Sequence, residues 1–321
     1  MQGDLTLCGW RVRSELALPE LLPWHDNLKP VDIEISFGAV PSPTLPPLFE
    51  LPHSKLWANR CFLLQLENVG KFWVENGRRI ILEPAQNADE SELRTFLLGS
   101  VLGVLCHQRG LLPVHASTTR INGRSILIAG DSGSGKSTLA AALGARGQAL
   151  VADDISAFDA QTAMLLPAFP LHKLSSDVLD RLSLPNQGLV ANRPGQPKFN
   201  VPAANGFTPT PLPPSVIYVL HSDRRVKGVT IERASPAMAM TLLDRMIYRR
   251  AVGLKIQSRQ SLFLALSTLA GLAPVYRLRR ESGLSLDHLD ALAERVEAHA
   301  YAIHEQKTAE KIHLHSETIT E

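Results

Sequence analysis

The segment that most constrains this chain is glycine-rich: residues 130–137 read GDSGSGKS and follow the apolar run SILIA at residues 125–129. It matches the pattern G-x-x-x-x-G-K-[ST], in which glycines let the backbone wrap around phosphate while backbone N–H groups point at it. Such a loop needs a strand before it and a helix after it, and we predict that helix from about Lys136 to Ala145. An ordinary glycine turn with a surface lysine is the alternative. We therefore expect an α/β unit that binds a nucleotide.

The roles of the loop residues follow from the chemistry of phosphate binding. Lys136 is expected to reach the β- and γ-phosphates, and the Ser137 hydroxyl is expected to bind Mg²⁺. Lys136 is also a catalytic candidate, because its charge would oppose the charge that develops on a transferred phosphoryl group. The candidate nucleotide-binding residues are Gly130, Asp131, Ser132, Gly133, Ser134, Gly135, Lys136, Ser137 and Thr138.

A pair of carboxylates follows the loop in the sequence. Asp153 and Asp154 come directly after an apolar strand predicted at Ala149–Ala152. One can hold Mg²⁺, and the other can orient or deprotonate a nucleophile. Because adjacent carboxylates repel each other, a nearby lysine or metal ion is needed to keep both ionised. A helix cap or turn is the alternative interpretation of this pair.

His115 lies on the strand before a predicted hairpin, whose turn is Asn122-Gly123. A single histidine on a strand is more often a structural residue than a catalytic one. Here the second hairpin strand, Ser125–Ala129, leads directly into the glycine-rich loop. We therefore expect His115 to lie close to the phosphate site.

Residues 111–157, which contain these features, resemble the catalytic domain of bacterial HPr kinase/phosphorylase. In that family a V-H-[GA] strand, a hairpin, G-D-S-G-x-G-K-S and L-V-A-D-D occur in this order, and here they read VHA, an Asn-Gly hairpin, GDSGSGKS and LVADD. The resemblance implies an ATP- and Mg²⁺-dependent kinase in which His115, Asp153 and Asp154 surround the transferred phosphoryl group. We assign Asp153, with Ser137, to the metal and Asp154 to the base toward a protein serine hydroxyl, although the two aspartates could exchange.

The rest of the chain departs from that family. The glutamate-bearing stretch E-I-R-G-L-G-[IL] is absent, and residues 165–174 read LLPAFPLHKL, with His172 and Lys173, in its place. The sequence therefore leaves open which residue would be the second metal ligand. It also leaves open whether the chain catalyses the reverse phosphorylase reaction. The β-rich start is closer to stand-alone HPr-kinase-like proteins associated with ribosomally made peptides. There the kinase resembles a tailoring enzyme that phosphorylates a serine of a lasso-peptide precursor.

The expected function is therefore that of an ATP-dependent serine kinase acting on a peptide or small protein, with a lasso-type precursor as the leading candidate. Three alternatives stay open: a protein kinase acting on HPr, a nucleotide-sensing module without catalysis, and a carboxykinase acting on a small oxoacid. Because HPr kinases resemble ring-forming enzymes, a homo-oligomer is a further expectation.

The expected fold is α/β, with a P-loop kinase core of HPr kinase/carboxykinase type that combines a mixed sheet with flanking helices. A small β-rich domain precedes this core. We predict a β-rich N-terminal domain at residues 1–88, the catalytic domain at residues 89–302 and a solvated tail at residues 303–321.

Composition limits which binding partners and which cellular compartment we expect for the chain. Hydrophobic residues make up 45% of the 321-residue chain, which excludes disorder as its main state. A formal net charge of +2 gives no support to binding of nucleic acid or of a membrane surface. Three widely spaced cysteines argue against a disulfide framework and a cysteine zinc site. The N-terminus lacks the apolar core of a signal peptide, so we expect a cytoplasmic protein.

Local patterns predict elements in the first third of the chain. The alternating residues 31–40 predict a strand, and Asn76-Gly77 predicts a hairpin. The proline-rich residues 41–52 are predicted to form a loop. A helix is predicted from Asp89, whose neighbours are acidic, to Gly110.

The remaining residues predict alternating strands and helices. Residues 185–214 are rich in Pro, Gly and Asn and are predicted to form a functional lid or mobile loop. Strands are predicted at residues 216–220, 229–233 and 275–278, and helices at residues 236–250, 261–272 and 286–301.

Overall fold

The computed structural model describes a mixed α/β protein in which helices flank several β-sheets. The residues described are 3–26, 28–58, 60–185, 189, 191, 198–203, 205–282 and 286–318, with the backbone alone for residue 287 and residues 307–318. None of the helices within these ranges combines the length and the apolar character needed to cross a membrane.

A nine-stranded sheet forms from the first 84 residues. Its strands are, in chain order, β1 (Leu5–Leu7), β2 (Trp10–Ser14), β3 (Leu22–Pro23), β4 (Ile33–Phe37), β5 (Phe49–Leu51), β6 (Ser54–Leu56), β7 (Phe62–Leu66), β8 (Gly70–Glu75) and β9 (Arg79–Pro84). They lie side by side in the order β3-β1-β2-β4-β9-β8-β7-β6-β5. The pairs β2–β4 and β4–β9 are parallel, and the other pairs are antiparallel.

Two local patterns in this sheet are confirmed. Strand β4 alternates as predicted, with Ile33 and Ile35 buried and Glu34 exposed. The β8–β9 hairpin turns at Asn76 and Gly77, whose φ angles of +55° and +65° are those of a type I′ turn. The twist of that turn matches the twist of the strands it joins, which is why the Asn-Gly pair predicts the hairpin.

The prediction that residues 41–52 form a loop throughout was wrong for β5. This strand pairs with β6 alone and lies at the edge of the sheet. Because an edge strand needs hydrogen bonds on one side only, the prolines on either side of β5, Pro47 and Pro52, do not interrupt the ladder.

The predicted helix from Asp89 to Gly110 is confirmed as one helical segment with an unpredicted π-helical turn. Its parts are α1 (Glu90–Phe96), a π-helical turn (Leu97–Val101) and α2 (Leu102–Gln108). The Asp89 carboxylate accepts a hydrogen bond from the Ser91 N–H at 2.6 Å and so caps the start. Gly110 follows the end with a φ of +77°, a conformation that glycine adopts at little cost.

The described residues after residue 110 form eleven further strands and six further helices. The strands are β10 (Leu112–Val114), β11 (Ala116–Ile121), β12 (Arg124–Gly130), β13 (Ala149–Ala152), β14 (Ser156–Asp159), β15 (Met164–Leu166), β16 (Leu171–Ser175), β17 (Lys198–Pro202), β18 (Pro214–Asp223), β19 (Val229–Arg233) and β20 (Val275–Glu281). The helices are α3 (Lys136–Ala145), α4 (Ser176–Arg181), α5 (Pro236–Arg245), α6 (Arg250–Ile256), α7 (Arg259–Leu272) and α8 (Leu289–Thr318), with a 3₁₀ turn at Leu286–His288.

A six-stranded sheet in the order β13-β11-β12-β18-β20-β19 organises this part. Strands β12, β18 and β20 run parallel, so their carboxyl ends share one edge of the sheet. Leu127 and Ala129 of β12 pack in one apolar cluster with α5 and α7. Ile126 and Ile128 pack in another with α3 and α8. Helices therefore cover both faces, and the glycine-rich turn leaves the sheet at the shared edge.

Two smaller sheets and one shared core complete the architecture. The small sheets are β10-β14-β15 and the pair β16-β17. A single apolar cluster contains Phe72 of the nine-stranded sheet, Leu102 of α2 and Phe169 between β15 and β16. The nine-stranded sheet is thus packed, through α2, against the segment that leads into β16.

Two helix boundaries differ from the prediction. The helix predicted at residues 236–250 ends at Arg245, because the Tyr248 N–H then donates to the Pro113 carbonyl and Arg249 takes a φ of +51°. The last helix does not end near residue 301 but continues as α8 to Thr318, into the residues predicted as a tail.

The predicted lid at residues 185–214 is described only in part. Within it β17 forms and pairs antiparallel with β16. Residues 186–188, 190, 192–197 and 204 lie outside the described residues. The lid therefore stays a prediction.

Candidate active site

The glycine-rich turn joins the carboxyl end of β12 to the first turn of α3. Gly130 has a φ of +153°, and a Cβ there would lie 2.6 Å from the Leu220 carbonyl oxygen and 2.8 Å from Ser134 Oγ. Gly135 precedes α3 with a φ of +101°. Any other residue at these two positions would be strained, and at Gly130 it would also clash with backbone. The glycines therefore bring the turn close to β18 and leave the N-terminus of α3 open.

Lys136 is buried against its own loop. Its Nζ donates to the carbonyls of Gly130 and Asp131, each at 2.9 Å, and to His115 Nε2 at 3.0 Å. Burial lowers the pKa of the Lys136 ammonium. The charge of Lys136 is thus held at the mouth of the loop by three acceptors rather than left to move in solvent.

His115 lies between Lys136 and Asp154, as expected from the hairpin. Because Lys136 donates to Nε2, the proton of a neutral ring is on Nδ1, which donates to the Asp154 carbonyl at 3.0 Å. Burial, and then the Lys136 charge, lower the pKa of His115. The Tyr248 ring packs beside the imidazole with 5.6 Å between ring centroids. His115 therefore connects the loop lysine to the paired aspartates.

Asp153 is almost fully buried and accepts three hydrogen bonds. Its Oδ1 accepts from the hydroxyls of Ser117 and Ser137, the latter at 2.9 Å, and its Oδ2 accepts from the Lys173 N–H at 2.9 Å. A serine hydroxyl beside a carboxylate is a pair of hard oxygen donors of the kind that Mg²⁺ prefers. The residues at this point fit the metal role predicted for Ser137 and Asp153.

Asp154 forms an ion pair with Lys173. Its Oδ2 lies 2.9 Å from Lys173 Nζ, and its Oδ1 lies 3.4 Å from His115 Nδ1. Burial alone would raise the pKa of the Asp154 carboxyl, but the Lys173 ammonium, with His115 and Lys136, brings this pKa down to about 2. Its backbone φ of +70° is in the left-handed region, which aspartate tolerates better than most residues. The carboxylate is thus held ionised.

Sequence analysis did not assign a role to Lys173. It lies on β16 opposite Asn200 of β17, a strand pairing between segments that are distant in sequence. The Asp154 carboxylate raises the pKa of its ammonium against the effect of burial. The need for a cation beside two adjacent carboxylates was the one available signal, and it did not say which lysine would supply it.

These side chains open into one cleft of about 180 Å³. Its lining includes the polar side chains of His115, Lys136, Ser137, Asp154, Lys173 and Lys198. Three lysines face one carboxylate there, so the cleft suits an anion. Ser132, Gly133, Gly135 and Thr138 line it as well, whereas Gly130, Asp131 and Ser134, also predicted to bind nucleotide, do not.

A second cavity of about 320 Å³ adjoins the first along Gly133, Gly135 and Thr138. Part of its wall is apolar and comes from Leu139, Val178, Leu220, Leu286, Leu289 and Leu292. A comparable part is polar and includes Ser175, Asp177, Arg280 and His288. Apolar side chains combined with a few polar groups can hold a small organic molecule. The first cavity thus suits an anion, and the second combines apolar and polar groups.

Comparison with known proteins adds one structural likeness. No protein-family model matches the chain, and no curated protein matches it. Among solved structures it is similar to the HPr(Ser) kinase/phosphatase from Coxiella burnetii, with 15% sequence identity and a TM-score of 0.31 over 63% of this chain and 98% of that chain. A TM-score of 0.31 is too low to support conclusions about the fold or the activity of this chain. The chemistry of the site therefore follows from its own residues.

Proposed function

We propose that this chain is an ATP-dependent phosphotransferase that phosphorylates a serine hydroxyl of a peptide or small protein. One observation carries the proposal: the loop lysine Lys136, the ion-paired carboxylate of Asp154 and His115 between them line a single anion-suited cleft. A site that only bound nucleotide would need the loop, but not an ionised carboxylate beside His115 in the same cleft.

The nucleotide would lie across both cavities. Its phosphates would be held by loop N–H groups and Lys136, and its nucleoside would extend into the second cavity beside Arg280. Bound Mg²⁺ would be held by Ser137 and Asp153 and would neutralise charge on the phosphate oxygens. This arrangement leaves Asp154 free to face the acceptor.

The transfer would proceed by in-line attack of the acceptor hydroxyl on the γ-phosphorus. The bond from the acceptor oxygen to phosphorus forms, the bond from phosphorus to the β-phosphate bridging oxygen breaks, and ADP leaves. Asp154 Oδ1 or Oδ2 accepts the proton of the hydroxyl, while Lys136 stabilises charge on the departing phosphate. Since the pKa of Asp154 is about 2, it takes up this proton late, as the loose transition state of phosphoryl transfer allows.

The class of acceptor rests on the resemblance of residues 111–157 to HPr kinase/phosphorylase and of the β-rich start to kinases of ribosomally made peptides. A lasso-type precursor peptide is therefore the first acceptor to test, and HPr is the second. A nucleotide sensor without catalysis has one observation in its favour, which is that the glutamate-bearing stretch of the family is absent.

The test is incubation with Mg²⁺ and γ-labelled ATP, with precursor peptides encoded beside its gene or with HPr, followed by mass spectrometry. We expect one acceptor to gain one phosphate, about 80 Da, and this gain to disappear in Lys136→Ala. If ATP binds and none of these acceptors is phosphorylated, the nucleotide-sensing function replaces the kinase.

A further inference from the structure

Lys173 contacts both aspartates of the site. Its backbone N–H donates to Asp153 Oδ2, and its Nζ donates to Asp154 Oδ2, each at 2.9 Å. The side chain is 16% exposed and lines the cleft. The pairing of β16 with β17 places the backbone of Lys173 opposite Asn200. Its ammonium is therefore a fixed positive charge in the cleft rather than a mobile surface charge.

The two aspartates differ in their capacity to bind a metal ion. Asp153 accepts hydrogen bonds at both oxygens, but only from neutral donors, the hydroxyls of Ser117 and Ser137 and the backbone N–H of Lys173. With the Ser137 hydroxyl it gives one metal ion two neighbouring oxygen donors. Asp154 has Lys173 Nζ at one carboxylate oxygen and His115 Nδ1 near the other.

Sites that transfer phosphoryl groups commonly place two metal ions on the phosphate oxygens. A lysine ammonium supplies positive charge and three donors to phosphate without any ligand set of its own. We propose that the Lys173 ammonium takes the place of a second metal ion, so that this site binds one divalent cation, at Ser137 and Asp153. The inference rests on the proposed function, because it concerns the same bound nucleotide.

In this role Lys173 is a positioning residue as well as a counter-charge. It holds the Asp154 carboxylate toward the acceptor and keeps a second cation away from that carboxylate by charge repulsion. The chain also contains a matched control, Lys198. It lines the same cleft from β17, yet it is exposed and has no carboxylate partner within the described part of the chain.

The inference is tested by counting bound metal ions. Mn²⁺ replaces Mg²⁺, a non-hydrolysable ATP analogue replaces ATP, and the free-Mn²⁺ signal in electron paramagnetic resonance gives the stoichiometry. We expect one Mn²⁺ per bound nucleotide in the wild type, in Lys173→Arg and in Lys198→Met. We expect a second Mn²⁺ in Lys173→Glu and a second, more weakly bound Mn²⁺ in Lys173→Met.

Two results would overturn this role for Lys173. One is a second Mn²⁺ in the wild type. The other is a single Mn²⁺ in both Lys173→Glu and Lys173→Met while they remain folded by circular dichroism and bind the analogue. If the wild type binds no nucleotide at all, the proposed function fails first and the one-metal inference falls with it, which is a different and recognisable outcome.

Discussion

The two ends of the cleft are built in different ways. The proposed phosphate end comes from one strand–helix junction, whose residues Ser132, Gly133, Gly135, Lys136, Ser137 and Thr138 line the cleft. The proposed acceptor end consists of His115, Asp154 and Lys173, which come from three segments distant in sequence and meet through side-chain contacts. A single local pattern is enough to specify the first, whereas the second exists only when the long-range contacts have formed. Substitutions at the phosphate end should therefore impair nucleotide binding, and substitutions at the acceptor end should impair phosphate transfer without impairing that binding.

The largest effect is expected at the phosphate end. Lys136→Ala removes a charge held by the Gly130 and Asp131 carbonyls and leaves those buried carbonyls without their donor. We expect nucleotide affinity to fall and phosphate transfer to drop by about 10³-fold. Titration calorimetry and labelled-ATP transfer measure the two. Lys198→Ala is the control, and an equal loss in that variant would show that overall charge, not position, matters.

At the acceptor end, Asp154→Asn should separate transfer from binding. Asparagine keeps the size of the side chain and tolerates the φ of +70°, but it cannot accept the hydroxyl proton. We expect transfer to fall by about 10²-fold, with nucleotide affinity within about threefold of the wild type. The proposed base is refuted by a folded variant that transfers phosphate at the wild-type rate.

The acceptor end also rests on a buried histidine. His107 Nε2 donates to the Tyr248 carbonyl, and Gln257 donates to His107 Nδ1. Burial lowers the pKa of His107 to about 4. As pH falls from 6.5 toward 4, the unfolded chain gains a proton that the folded chain does not, so stability is lost over this range.

Between pH 7 and pH 5 this group should cost about 2 kcal/mol of unfolding free energy. Urea unfolding of the wild type and of His107→Gln at both pH values measures it, since carboxylates titrate alike in the two proteins. An equal loss of stability in both would mean that His107 titrates normally in the folded state.

The smallest effect is expected in the second cavity, which adjoins the proposed phosphate end. Leu286 is half-buried at its wall, and Leu286→Trp would fill part of its space. We expect ATP to bind about tenfold more weakly, while inorganic triphosphate binds as it does to the wild type. Leu286→Met, of similar volume, is the control. If the tryptophan variant binds ATP normally, the nucleoside lies elsewhere.

The same difference between the ends decides what could be predicted from the sequence. The loop, α3 and the Asn-Gly hairpins follow from local patterns and were confirmed as elements. The position of His115 followed as well, because a hairpin connects it to the loop. Lys173 could not be given a role, since it meets Asp153 and Asp154 only through contacts between segments that are distant in sequence.

Tertiary contacts also explain the missed helix end. Nothing in residues 236–250 marks a break, for there is no glycine between Arg245 and Arg250. The chain turns because Tyr248 and His115 form backbone hydrogen bonds with Pro113 and Met246. Arg249 then adopts a left-handed conformation that its own side chain disfavours. These backbone hydrogen bonds between distant segments outweigh the local helical propensity of residues 246–250.

The π-helical turn at Leu97–Val101 sets the rotation of α2 about the helix axis relative to α1. Gly103 lies against the Tyr248 ring, where a Cβ would come within 2.4 Å, and His107 follows one turn later. A π-helical turn amounts to one inserted residue in an α-helix. Deleting one residue from Leu97–Val101 would rotate α1 and α2 by about 100° relative to each other. One continuous helix could then no longer pack against both the nine-stranded sheet and Tyr248. The number of residues in Leu97–Val101 is therefore as constrained as their identities.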